Sequence, residues 1–168
     1  RWQPSLQIIS HYESEPLYIN ALTNSITKKI SELKWKPDII LASYHGIPKK
    51  YFDNGDPYHC YCQKTSRLLS EKFTQIPIIT TFQSRLNNNW IKPFTDEIML
   101  DLINKKKYKV LIVSPAFVSD CLETLIEIGE TYKNEFKKLG GHDLTLVPSL
   151  NYNKKWVSSI YEIINSNE

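Results

Sequence analysis

The chain has 168 residues, 41% of them hydrophobic and 23% charged, the proportions of a globular protein with room for a sizeable core. Twenty-one Lys and Arg against eighteen Asp and Glu leave a net charge of +3, and no basic stripe marks nucleic-acid binding. No apolar run reaches the length of a membrane span, so any membrane contact is expected to be peripheral. Three cysteines (Cys60, Cys62 and Cys121) are too few for a disulfide framework and predict a reducing compartment, the cytoplasm.

The opening R-W-Q-P-S has neither an initiating Met nor a following apolar h-region, which predicts a chain cut from a longer one rather than a signal peptide. Leu6 to Ile9 is a short apolar stretch. Ser14-Glu15-Pro16 has the pattern of a helix start, and Leu22, Ile26, Ile30 and Leu33 then recur on one helical face. His11 is expected to be structural or exposed.

Ile39 to Ser43 has the continuous apolar character of a strand buried on both faces. Gly46 and Pro48 interrupt regular structure just beyond it. A helix is predicted from Tyr61 to Phe73, a second strand from Ile76 to Phe82, and a long polar loop from Gln83 to Pro93 that holds Trp90. Thr95 or Asp96 is expected to cap the next helix, which ends in the lysine run after Ile103. Val110 to Val113 is a third strand, Asp120 to Leu139 a helix closed by Gly140-Gly141, and Leu144 to Val147 a fourth strand. Asn151 to Asn153 starts a last helix whose apolar residues are Trp156, Val157, Ile160, Ile163 and Ile164. Strands alternating with helices predict an α/β, Rossmann-like domain: a four-stranded parallel sheet flanked by helices.

Three stretches carry a resemblance. Ser43 to Pro48 (S-Y-H-G-I-P), followed after four residues by D-N-G-D-P-Y, is similar to the signature of the ferrochelatase family. Thr81 to Asp96 (T-F-Q-S-R-L-N-N-N-W-I-K-P-F-T-D) and Ser114 to Ile128 (S-P-A-F-V-S-D-C-L-E-T-L-I-E-I) resemble its next two segments, in the same order. The resemblance implies one half of the two-domain chelatase-like fold, specifically the carboxy-terminal half. It also implies that the full protein inserts ferrous iron into protoporphyrin IX to form protohaem, the terminal step of haem biosynthesis. Ferrous iron and protoporphyrin IX would be its substrates, the missing amino-terminal domain would be its partner, and residues 1–14 would be the segment crossing from that half.

Residue by residue, the resemblance places the family's active-site histidine on His45 and its glutamate on Glu123, as catalytic groups and metal ligands. Trp90 and Tyr44 are the aromatic candidates for the porphyrin, because a flat apolar ring suits aromatic faces. The chemistry fits these residue types. A neutral imidazole can accept a pyrrole proton or ligate iron at neutral pH, and a carboxylate beside it can do either while balancing the metal's charge. Base and ligand roles for His45 both stay open. Glu127 and Glu130 follow Glu123 at helical spacing and read either as a path for protons or metal or as a solvated helix face.

The sequence departs from the family at Cys121, where many members carry histidine, and at Thr131, where some carry a further carboxylate. His59 with Cys60-x-Cys62 could mark a metal site, but a structural zinc needs about four ligands. An iron–sulfur cluster likewise needs about four cysteines and is not expected. The other readings are a chelatase for another metal or ring (coproporphyrin or cobalt type) and a non-catalytic half-enzyme or binding module.

Overall fold

The computed structural model describes residues 2–4, 6, 8–9 and 11–165. Four parallel strands form one sheet in the order β2-β1-β3-β4, where β1 is Ile39–His45, β2 Ile78–Gln83, β3 Lys109–Val113 and β4 Asp143–Leu146. Residues 39–44 of β1 are buried without a break. Each fully buried Ile or Leu there contributes about 1.5–3 kcal/mol, which favours a central strand covered from both sides.

The two faces of β1 have separate cores. Ile40, Ala42 and Tyr44 pack with Leu22 and Ile26 of α1 (Pro16–Glu32), Leu69 of α3 (Tyr58–Lys72) and Trp156 of α6 (Lys154–Asn165). Ile39 and Leu41 pack instead with Met99 and Leu102 of α4 (Thr95–Asn104), with Ile128, and with Phe136 of α5 (Lys133–Lys138). This is the period-two alternation of a strand, and it decides the fate of Tyr44 and His45.

Most elements lie where the sequence places them, within a few residues. β1 runs two residues past Ser43, because Tyr44 and His45 still pair with Phe82 and Gln83 of β2. The short α2 (Lys49–Asp53) within the following loop has no counterpart in the sequence reading.

Thr95 does not cap α4; it begins that helix, and Phe94 precedes it with no side-chain cap. The Thr95 hydroxyl lies 3.0 Å from both the Ser43 and the Thr81 hydroxyls, fully buried between helix and sheet. Those strand hydroxyls need partners once they are removed from water. Asp96 instead takes Nη2 of Arg85 at 2.5 Å.

The helix expected from Asp120 is a π-helix over Glu123–Tyr132, continued by α5. Gly140, at a φ of 100°, closes α5. In α6, Trp156 and Ile163 are buried, whereas Val157, Ile160 and Ile164 remain largely exposed. The expected crossing segment, residues 1–14, falls partly on residues 1, 5, 7 and 10, outside those described. Trp2, Leu6 and Ile8 within it are exposed.

Candidate active site

β1 and β3 are neighbours, paired from Ile39↔Val110 to Ala42↔Val113, and β2 lies on the other side of β1. The chain order reverses there, so the loops leaving β1 and β3 open a crevice at the carboxyl edge of the sheet, the place where α/β folds bind ligands. His45 is the last residue of β1. Its Nδ1 lies 2.6 Å from the Gly46 carbonyl. A carbonyl oxygen only accepts, so Nδ1 carries the hydrogen and the neutral ring keeps its lone pair on Nε2. The His45 carbonyl in turn accepts from the Tyr58 hydroxyl at 2.9 Å, which ties the strand end to the G-D-P-Y turn.

Two aromatic rings flank the imidazole. The Trp90 centroid lies 6.0 Å away and the Phe117 centroid 6.4 Å away, both tilted. Trp90 arrives because its loop doubles back along the residues after His45. Pro48 and Trp90 form an antiparallel bridge, Ile91 N–H donates to the Ile47 carbonyl at 3.0 Å, and Lys49 N–H donates to the Asn89 carbonyl at 2.8 Å. What reads in sequence as a polar loop is therefore the wall of the crevice beside His45. Phe117, from the loop after β3, reads in the sequence only as part of the turn Pro115-Ala116-Phe117 and is not a candidate for the site there.

Glu123 begins the π-helix and is partly exposed. Its carboxyl is held below the usual glutamate range, first by a hydrogen bond from the Cys121 thiol and then by its own backbone N–H. Burial opposes this weakly, and the positive charge of a protonated His45 adds to the lowering. The lowered pKa favours the carboxylate form of Glu123. Asp120, just before the π-helix, serves as a lock. Burial works against its charge, but hydrogen bonds from Asn151 Nδ2 (2.8 Å), Ser149 N–H (3.1 Å) and the Thr124 hydroxyl outweigh it and lower its pKa. This joins the start of the π-helix to the loop between β4 and α6.

Tyr44 is a correction. Neighbours on a strand point to opposite faces, so the residue next to His45 turns away from the crevice. Tyr44 is 2% exposed, and its hydroxyl lies 3.0 Å from that of Ser66 in the core against α3. It has no ring face to offer a porphyrin beside His45. His59, Cys60 and Cys62 do not converge either. Cys62 is buried, with its thiol pushed up to about 12 chiefly by burial, whereas Cys60 is exposed and His59 packs on Phe52 and Phe82. Among the described residues no group of three or more His, Cys, Asp or Glu is placed to hold a metal ion. His11 is exposed and bonded to Glu13.

The sequence model of the family described as Ferrochelatase matches residues 1–168. This chain belongs to the ferrochelatase family. Among curated ferrochelatases, that of Rhizobium etli (strain CFN 42) is 46% identical over 154 residues, covering 90% of this chain and 45% of the relative. That of Rhizobium meliloti (strain 1021) is 42% identical over 167 residues, covering 98% of this chain and 49% of the relative. That of Rhodobacter capsulatus is 41% identical over 168 residues, covering 98% and 48%. The chain thus spans about half the length of the curated relatives it matches. Within this ferrochelatase-family chain, Gln83 is the residue the sequence most undersells. It is the last residue of β2, in register with His45, and its amide reaches the Glu123 carbonyl at 3.0 Å.

Proposed function

We propose that the protein of which this chain is a part is a ferrochelatase that inserts ferrous iron into protoporphyrin IX and releases two protons, and that this chain supplies the catalytic, carboxy-terminal half. Residues 1–14, as the crossing from the other half, belong to the same proposal. One observation carries the reading: the ferrochelatase family model matches residues 1–168, and in this chain His45 ends β1 while Glu123 begins the helix that follows the neighbouring strand β3.

In this reading Nε2 of His45 accepts a pyrrole proton or ligates the incoming iron, since Nδ1 is occupied by the Gly46 carbonyl. Glu123, anionic through the working pH range, balances the metal's charge and takes a proton in turn. Trp90 and Phe117 give the macrocycle aromatic faces beside the histidine. The other half of the protein forms the opposite wall of the cleft. No helix among the described residues is long and apolar enough to cross a membrane. The cytoplasm as the site of the reaction is part of the same proposal and rests on the three cysteines, too few for a disulfide framework.

The test is an insertion assay with ferrous iron, and with zinc as an air-stable surrogate, against protoporphyrin and coproporphyrin, run on the full-length protein and on this chain. Metalloporphyrin formation by the full-length protein, with protoporphyrin favoured, supports the reading. No insertion by the full-length protein into either ring would overturn it.

A further inference from the structure

We propose that Glu127 is a positioning residue, the clamp that fastens the Ser84–Phe94 loop to the π-helix, and not a station on a carboxylate path for metal or protons. Its surroundings leave it no free valence. Oε1 accepts from the Ser84 N–H at 2.8 Å and the Tyr132 hydroxyl at 2.9 Å. Oε2 accepts from the Ser84 hydroxyl at 2.5 Å and the Gln83 amide at 3.2 Å. A carboxylate offers about four lone-pair sites, so these donors fill it. A metal ion could bind only by displacing one of them.

The π-helix makes this clamp. Tyr132 is five residues after Glu127, and in an α-helix, at 3.6 residues per turn, side chains five apart point about 140° away from each other. The i→i+5 winding over Glu123–Tyr132 brings them to one face. Ser84 shows the same need from the other side. It has a φ of 60°, a conformation that L side chains rarely adopt, and both its donors turn onto Glu127.

What the clamp holds is the crevice. Ser84 opens the loop that carries Trp90, whose ring lies 6.0 Å from that of His45. Gln83 gives one amide hydrogen towards Glu127 and another to the Glu123 carbonyl, and its own oxygen accepts from Ser43 of β1 at 2.8 Å. Glu127 therefore sets where Trp90 and Glu123 stand relative to His45. Its kinetic consequence rests on the chelatase reading; the clamp does not.

The experiment uses the full-length protein with three substitutions, Glu127→Gln, Ser84→Ala and Tyr132→Phe, and two measurements. The first is hydrogen exchange at the Ser84 amide and along the loop to Trp90. The second is steady-state insertion with ferrous iron and protoporphyrin varied separately. Glu127→Gln puts an amide donor against other donors, so the Ser84 amide should exchange about tenfold faster or more. The KM for porphyrin should rise, while that for ferrous iron stays within about twofold of wild type. Tyr132→Phe removes a single oxygen and keeps the carboxylate, so it carries the test even if Glu127→Gln fails to fold; it and Ser84→Ala should shift the same quantities in the same direction, by less. Unchanged exchange in Glu127→Gln would overturn the clamp. So would a raised KM for iron in Glu127→Gln with Ser84→Ala and Tyr132→Phe both behaving as wild type. A wild-type protein that inserts no metal would instead remove the chelatase reading, and the exchange data would still decide the clamp.

Discussion

Trp90 packs directly on the backbone of Gly46: a side chain at position 46 would place its Cβ 2.9 Å from Cε3 of Trp90 and 3.0 Å from the Gln83 carbonyl. The contact fixes the indole next to His45, and it needs glycine for space, since neither the indole nor the carbonyl can give way without disturbing β1 and β2. Gly46→Ala should destabilise the protein by about 1–3 kcal/mol, the usual cost of overpacking. Porphyrin affinity should fall as well, because Trp90 must shift. Denaturant unfolding and a porphyrin fluorescence titration measure the two effects.

His45→Ala should slow metal insertion by about 10²–10⁴-fold, the usual contribution of a general base, while leaving the fold intact. The side chain is only partly buried and makes one hydrogen bond, to the Gly46 carbonyl, worth about 0.5–1.5 kcal/mol. Thermal unfolding should therefore move by a few degrees at most, against that large and still measurable loss of turnover. Wild-type insertion rates in this variant would remove His45 from the chemistry.

Cys121→Ala tests the electrostatics of Glu123. The thiol hydrogen bond is the largest influence lowering that carboxyl, so its removal should raise the Glu123 pKa toward the ordinary value of about 4.3. A base that must be deprotonated loses activity as the pH falls through its pKa. The acid limb of kcat/KM should accordingly move to higher pH in the variant, with little change at neutral pH. A limb that does not move would show that Glu123 does not govern it.

Asp120→Asn tests the lock between the π-helix and the loop after β4. An amide there sets a donor against the Ser149 N–H or the Asn151 amide, and the variant should lose about 1 kcal/mol at neutral pH, allowing for partial exposure. The sign of the pH dependence follows from the lowered pKa. The folded value lies below the unfolded one of about 3.9, so the stabilisation is complete above that pH and disappears as the pH falls through the folded value. The stability gap between wild type and variant should narrow below about pH 4. A gap constant down to pH 2 would assign the effect to packing instead.

Much of the fold was legible because continuous apolar runs mark strands buried on both faces, and Ile39 to Leu41 and Val110 to Val113 are such runs. The placing of His45 at the end of a buried strand could be read from the Gly46 and Pro48 that follow, whereas Glu123 is singled out by the family resemblance alone. Tyr44 was misread for a local reason: adjacency in sequence on a strand means opposition in space, and β1 continues through it. The π-helix leaves no trace in a pattern read at a period of 3.6, so Glu127 looked like a member of an acidic face rather than the partner of Tyr132. The contacts of Trp90 and Gln83 are long-range pairings that no local pattern encodes.

The central claim is that His45 and Glu123 serve one metal centre, and a double-mutant cycle in the full-length protein measures that directly. Rates of ferrous insertion into protoporphyrin are compared for His45→Ala, Glu123→Gln and the double variant. Two groups acting on one ion and one set of pyrrole protons are not independent, so the double variant should be no slower than the slower single one. Losses that multiply, or insertion at the wild-type rate in either single variant, would contradict a shared centre.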